Sequence, residues 1–127
     1  MRAVTARLDR QLVAVMFTDV VGYTALMQTD ERVAIDKRDR YMRALEGHHD
    51  DFGGTIVQRL GDGSMSMFPS SLAAVSAAVA IQRELTAHDV PVRIGVHVGE
   101  VIVEPERLTG DAVNIAARIE SSAVPAA

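Results

Sequence analysis

The sequence predicts an α+β fold: a ferredoxin-like (palm-like) antiparallel sheet with helices packed against it. Three observations carry this. Short apolar runs alternate with longer stretches at helical spacing; a Gly/Asp turn between two short runs closes a hairpin; and the order along the chain is strand, helix, two strands, helix, two strands, helix.

Leu12 to Phe17 form the first run, rich in strand formers and suited to a strand buried on both faces, which delivers Asp19 at its C-terminal end. Gly22 breaks it. A helix is expected from about Asp30, a suitable N-cap, to Phe52, with Val33, Tyr41, Leu45, His48 and Phe52 near helical spacing and Gly53-Gly54 as the stop. Thr55 to Arg59 and Ser64 to Phe68 read as two strands joined by Leu60-Gly61-Asp62-Gly63, which puts Asp62 at a hairpin tip. Pro69-Ser70-Ser71 opens a second helix whose buried face is expected at Leu72, Val75, Val79 and Leu85. Val92 to Val98 and Val101 to Val103 read as two further strands, and Gly110 leads into a last helix from about Ala112 to Ser121.

With 127 residues, 48% hydrophobic, the chain can build one core and not two. Residues 1–10 read as an N-terminal extension and 11–127 as the domain. Thirteen basic against seventeen acidic residues, with no long run of either sign, argue against nucleic acid as the partner. The absence of cysteine excludes disulfides and thiolate metal sites, and no stretch has the length or composition of a signal peptide or membrane span, so a cytoplasmic location is expected.

Two carboxylates on separate turns, Asp19 and Asp62, suit a two-cation phosphate site, because hard divalent ions take oxygen ligands on a rigid frame. Taken singly, Asp19 reads equally well as a strand-end cap and Asp62 as an ordinary turn former. Phe17 to Thr24 place Gly22 and free backbone N–H groups just beyond the first carboxylate, where a loop feeding a helix can hold phosphate oxygens. Asn114 and Arg118 are four residues apart on one helix face, able to orient a ribose and offset charge on a phosphate. Read alone, they are better taken as a surface Asn and a solvated Arg. His48, His49, His88 and His97 match no zinc spacing, and Ser64 and Ser66 belong to no visible Ser-His-acid set.

FTDVVGYT, LGDGSMSMF, RIGVHVGEV and GDAVNIAAR, in this order and at these spacings, resemble the motif set of class III adenylyl and guanylyl cyclase catalytic domains over about Gln11 to Ser122. The resemblance implies the class III cyclase fold, with Asp19 and Asp62 binding two Mg²⁺ or Mn²⁺ ions and Asn114 and Arg118 stabilising the transition state. It also implies a homodimer in which the Asp pair and the Asn/Arg pair of one site come from different protomers, with ATP as the expected substrate, converted to 3′,5′-cyclic AMP and pyrophosphate, and GTP as the alternative. Phe17, Gly22, Tyr23, Thr24 and Gly61 would lie on the substrate side. A longer parent carrying sensor or regulator domains is a further expectation from the family.

The sequence departs from the family at two places. The purine-reading positions, three before Gly61 and three before Gly110, carry Gln58 and Arg107 in place of the usual pairs. A Gln amide donates and accepts and so suits adenine or guanine, whereas Arg107 only donates. The strands and helix that follow in the family, with a triphosphate-contacting lysine, have no counterpart before Ala127, so the fold is expected to lack its last strands and activity to be weak. Two rivals stand beside an active cyclase: a silent nucleotide-binding or dimerising module, and a diguanylate cyclase, whose GG(D/E)EF signature is absent because Thr55-Ile56 follow Gly53-Gly54.

Overall fold

The computed structural model of the chain describes residues 10–105 and 107–123; the extension expected over residues 1–10 therefore lies, but for Arg10, outside the described residues. In chain order the elements are β1 (Arg10–Val20), α1 (Tyr23–Thr29), α2 (Glu31–Phe52), β2 (Thr55–Arg59), β3 (Gly63–Phe68), α3 (Ser71–Ala87), β4 (Val92–Glu104), β5 (Arg107–Thr109) and α4 (Asp111–Ser122). The strands form one antiparallel sheet in the order β2-β3-β1-β4-β5. β1 is its centre, paired with β4 from Arg10↔Ile102 to Val20↔Val92 and with β3 from Ala14↔Phe68 to Asp19↔Gly63.

Strand periodicity divides β1 between two cores. Ala14, Met16 and Val20 face α2 and α3 in a cluster with Tyr41, Leu45, Phe68, Ile81, Leu85 and Val92. Val13 and Val15 face the other way, joining Met65, Val101, Leu108, Ala112 and Ala116 beneath α4. The expectation of a first strand buried on both faces is thereby met. Val57 of β2 and Leu108 of β5 share this second cluster, because the sheet curls until its two edge strands approach each other.

Asp30 caps α2 as expected, its side chain accepting from the Val33 N–H at 3.2 Å. The hairpin also forms: Gly61 takes a left-handed φ of 74° and the Leu60 N–H donates to the Gly63 carbonyl at 2.8 Å. His49, fully buried, donates from Nδ1 to the Leu45 carbonyl at 2.7 Å and lies against Phe68.

Three expectations need correction. The buried face of α3 is Ala74, Ala77, Ile81 and Leu85; Leu72, Val75 and Val79 are 76%, 52% and 43% exposed. The helix is apolar nearly all round, so hydrophobicity cannot select a face, and the alanine side wins because small residues let it approach the sheet and α2 closely. Val92–Val98 and Val101–Val103 are one strand, since Gly99 and Glu100 continue the ladder opposite Val13 and Leu12. Two short elements, α1 and β5, were not anticipated; seven and three residues are too few to show a period.

Gly99 is there for packing. A Cβ on it would stand 2.8 Å from the Ala112 Cβ, and one on Gly95 would stand 2.3 Å from the Glu120 backbone N and 2.6 Å from the Ala116 carbonyl oxygen. The stripe Ala112, Ala116, Glu120 on α4 thus rests on bare β4 backbone. Gly95→Ala should drive the two backbones apart and cost about 1–3 kcal/mol, as overpacking does. Urea unfolding of the variant measures this, and an unchanged midpoint would contradict the close approach.

Candidate active site

β1 ends between two turns, and this places the carboxylates. Asp19 has the parity of Val13 and Val15, so it faces the α4 side, directly opposite Gly63 on β3 and Arg93 on β4. Asp62 lies at the tip of the β2–β3 hairpin, where its carbonyl accepts from the Val20 N–H at 2.9 Å and ties the hairpin to the end of β1. The two acidic residues singled out in the sequence therefore come together at one end of the sheet.

Thr18, one residue earlier, points to the opposite core. Its hydroxyl lies 2.6 Å from the Tyr41 hydroxyl and 2.8 Å from that of Ser64, a buried network joining β1, β3 and α2 directly behind Asp19. Burial, aided by the charges of Asp19 and Asp62, pushes the Tyr41 phenol up to about 12, so it remains a neutral hydrogen-bonding group.

Sequence reasoning missed two residues of this site. Arg93 brings its Nε to 3.4 Å from Asp19 Oδ1 and 3.7 Å from Glu120 Oε2, bridging β1 and α4. Arg93 stands within RIGVHVGEV and could have been found as the residue cross-strand from Asp19; Glu120 continues the Ala112–Ala116 stripe by one further turn. Glu120 is 8% exposed, and burial first, then the hydrogen bond and charge of neighbouring Asp19, push its carboxyl up from 4.5 to about 7, with Arg93 opposing.

Asn114 and Arg118 go the other way. Two residues along a helix is a turn of about 200°, so they lie on the far side of α4 from Ala112, Ala116 and Glu120. Both are exposed and have no polar partner among the described residues. The structure therefore brings together Asp19 and Asp62 and holds Asn114 and Arg118 apart from them.

The other candidates lie on several elements. Phe17 is half-buried beside the α4 core; Gly22, left-handed with φ 73°, precedes α1; and Thr24 is exposed on that helix. Tyr23 packs its ring on the α2/α3 core and accepts from Arg38 at 3.4 Å. Gly61 shapes the hairpin turn, and Gln58 is exposed on edge strand β2. Arg107, on β5, is exposed and ion-paired with Glu104 at 3.0 Å.

The donor set fits hard divalent cations. Asp19, Asp62 and Glu120 lie close enough for the charges of the two aspartates to act on Glu120, and Arg93 bridges Asp19 and Glu120, leaving an excess of acidic groups. Asp19 and Asp62 offer the one or two carboxylates through which Mg²⁺ binds while completing its shell with water and phosphate oxygens.

The raised Glu120 carboxyl has a thermodynamic consequence. Between about 4.5 and about 7 the folded chain keeps a proton that the unfolded chain has released, so this group's contribution to stability is lost as pH rises through that window. The stability of the cation-free protein relative to Glu120→Gln should fall across it, measured by urea unfolding with chelator. A difference that stays flat or rises with pH would contradict the burial of this carboxyl.

Comparison with known proteins now bears on these positions. Residues 7–127 match the model of the family described as adenylate and guanylate cyclase catalytic domain. The Rhizobium meliloti (strain 1021) protein named "Putative adenylate cyclase 3" is 37% identical over 91% of this chain, and an adenylate cyclase of Anabaena cylindrica is 28% identical over 84%. The chain spans only 21% and 26% of the length of these two relatives. Among solved structures, the adenylate/guanylate cyclase/hydrolase from Silicibacter pomeroyi superposes with a TM-score of 0.81 at 32% identity, covering 92% of this chain and 73% of that one. The adenylyl cyclase CyaB from P. aeruginosa, at 23% identity and TM-score 0.83 over 94% of this chain and 76% of that one, shares the fold. Matched over residues 7–127 and sharing the sheet of these structures, the chain belongs to the adenylate and guanylate cyclase catalytic domain family.

Proposed function

We propose that the chain is an adenylyl cyclase domain that converts ATP to 3′,5′-cyclic AMP and pyrophosphate at sites shared between the two protomers of a homodimer. The observation that carries this reading is the two-sidedness of α4: Glu120 is turned to Asp19, while Asn114 and Arg118 are turned to solvent. Residues so placed cannot act beside the carboxylates of their own chain, and a two-fold axis would bring each set to the other's carboxylates in two equivalent sites.

In this reading Asp19 and Asp62 hold two Mg²⁺ or Mn²⁺ ions, which when bound make the ribose 3′-hydroxyl more acidic and offset the charge of the triphosphate. The 3′-oxygen bonds to the α-phosphorus as the bond to the pyrophosphate oxygen breaks, and the hydroxyl proton leaves to solvent. Asn114 of the second protomer orients the ribose. Arg118 of that protomer donates to the oxygens on which charge builds, where a preorganised guanidinium stabilises the transition state more than the ground state. Phe17, Gly61 and the backbone N–H groups at Gly22, Tyr23 and Thr24 flank the phosphates, and Gln58 and Arg107 face the purine.

The choice of ATP over GTP is supported by the names of three relatives, "Putative adenylate cyclase 3" of Rhizobium meliloti and "Adenylate cyclase" of Anabaena cylindrica and of Mycosarcoma maydis. The short share of those relatives that the chain spans supports a module working within a longer protein.

With Mn²⁺ and ATP, the purified chain should form cyclic AMP faster than cyclic GMP from GTP. Asp62→Ala and Arg118→Ala should each lower the rate about a hundredfold or more, the scale of a lost transition-state donor, with the circular-dichroism spectrum unchanged. A folded wild-type dimer that binds ATP without forming product would overturn the catalytic reading in favour of a silent binding module.

A further inference from the structure

α4 carries two kinds of residue on opposite sides, and only one side is fastened. Its inner stripe ends at Glu120, whose backbone N and Cα would lie 2.3 and 2.7 Å from a Cβ on Gly95, so no side chain cushions helix from strand there. The fastening is ionic: the Arg93 guanidinium stands between Asp19 Oδ1 at 3.4 Å and Glu120 Oε2 at 3.7 Å. Neither distance is that of a short, well-formed charge-assisted hydrogen bond, and apart from the approach of Glu120 to the Asp19 carboxyl, the buried Glu120 Oε2 meets no hydrogen-bond partner among the described residues. The clamp is therefore held by charge and not by saturated hydrogen bonding, which leaves it open to competition from another cation.

We propose that Glu120, acting through Arg93, is a positioning residue that links cation binding at Asp19 to the placement of α4, the helix that carries Asn114 and Arg118. The proposal rests on the reading of Asp19 as a ligand of a divalent cation. A cation on the Asp19 carboxylate takes the charge that Arg93 now shares and repels the guanidinium, which moves onto the under-bonded oxygen of Glu120. Because Glu120 rests on Gly95 backbone to backbone, a change in its side-chain tether passes into the helix and is not absorbed by intervening side chains. Loading one carboxylate pair thus adjusts Asn114 and Arg118 on the same chain, which in the homodimer serve the other site. Coupling of this kind is reciprocal, so a clamp that moves α4 on cation binding also sets cation affinity.

Mn²⁺ binding by calorimetry and amide hydrogen exchange of residues 111–122, both without nucleotide, test this on wild type, Glu120→Gln, Arg93→Met and Asp19→Asn. In the wild type Mn²⁺ should change exchange across α4 by about fivefold or more, the lower end of ordinary coupling. In Glu120→Gln and in Arg93→Met, each still binding Mn²⁺, that response should shrink to less than about twofold, the second variant standing in should the first fail to fold. Asp19→Asn should lose both binding and response. Mn²⁺ binding with an unmoved wild-type α4, or an undiminished response in either clamp variant, would overturn the coupling while leaving the metal site intact. Failure of the wild type to bind Mn²⁺ would overturn the metal-site reading and the coupling with it.

Discussion

The contact of α4 with bare backbone on β4 is the constraint on which the site depends. Gly95 and Gly99 remove the side chains that would stand between helix and strand, and Ala112 and Ala116 do the same from the helix. Once that stripe is seated, every other residue of α4 has its direction fixed by helical geometry. Glu120, next on the stripe, must meet the end of β1, and Asn114 and Arg118 must face solvent. The separation of the acidic pair from the Asn/Arg pair is therefore a consequence of packing.

The carboxylate end has its own support. Asp19 closes the most heavily paired strand of the sheet, and the residue before it is locked by the Thr18–Tyr41–Ser64 network, so the position of Asp19 is set from both sides of β1. Across from it the acid is balanced in part by Arg93, and Glu120 holds its proton up to about 7, first because it is buried and then because Asp19 is beside it. In the proposed function this acidic end is where the divalent cations and the triphosphate would sit.

Much of this was legible in the sequence, and the failures have physical causes. The hairpin Leu60–Gly63, the Asp30 cap and the strand ending at Asp19 are local signals, written in turn chemistry and strand formers, and the structure has all three. The two acidic motifs could be joined because the hairpin pairs beside β1, an adjacency the resemblance also implied. The face of α3 differs from the expected one because its stretch Leu72–Ile81, apolar but for Ser76, offers no pattern from which to choose. β4 was divided at Gly99-Glu100 because a glycine that admits a helix resembles one that makes a turn. Arg93 and Glu120 escaped notice because their significance lies in a cross-strand register and a helix–strand contact, neither of which is local in sequence.

The central claim is that one site needs two chains. Asp62→Ala and Arg118→Ala damage opposite halves, so a mixed dimer retains one intact site, and co-refolding equal amounts of the two inactive variants tests the claim directly. The account predicts cyclic AMP formation restored to about a quarter of the wild-type rate per chain, since half the dimers are mixed and each has one working site of two. A mixture as inactive as its components, although shown to contain mixed dimers, would contradict it.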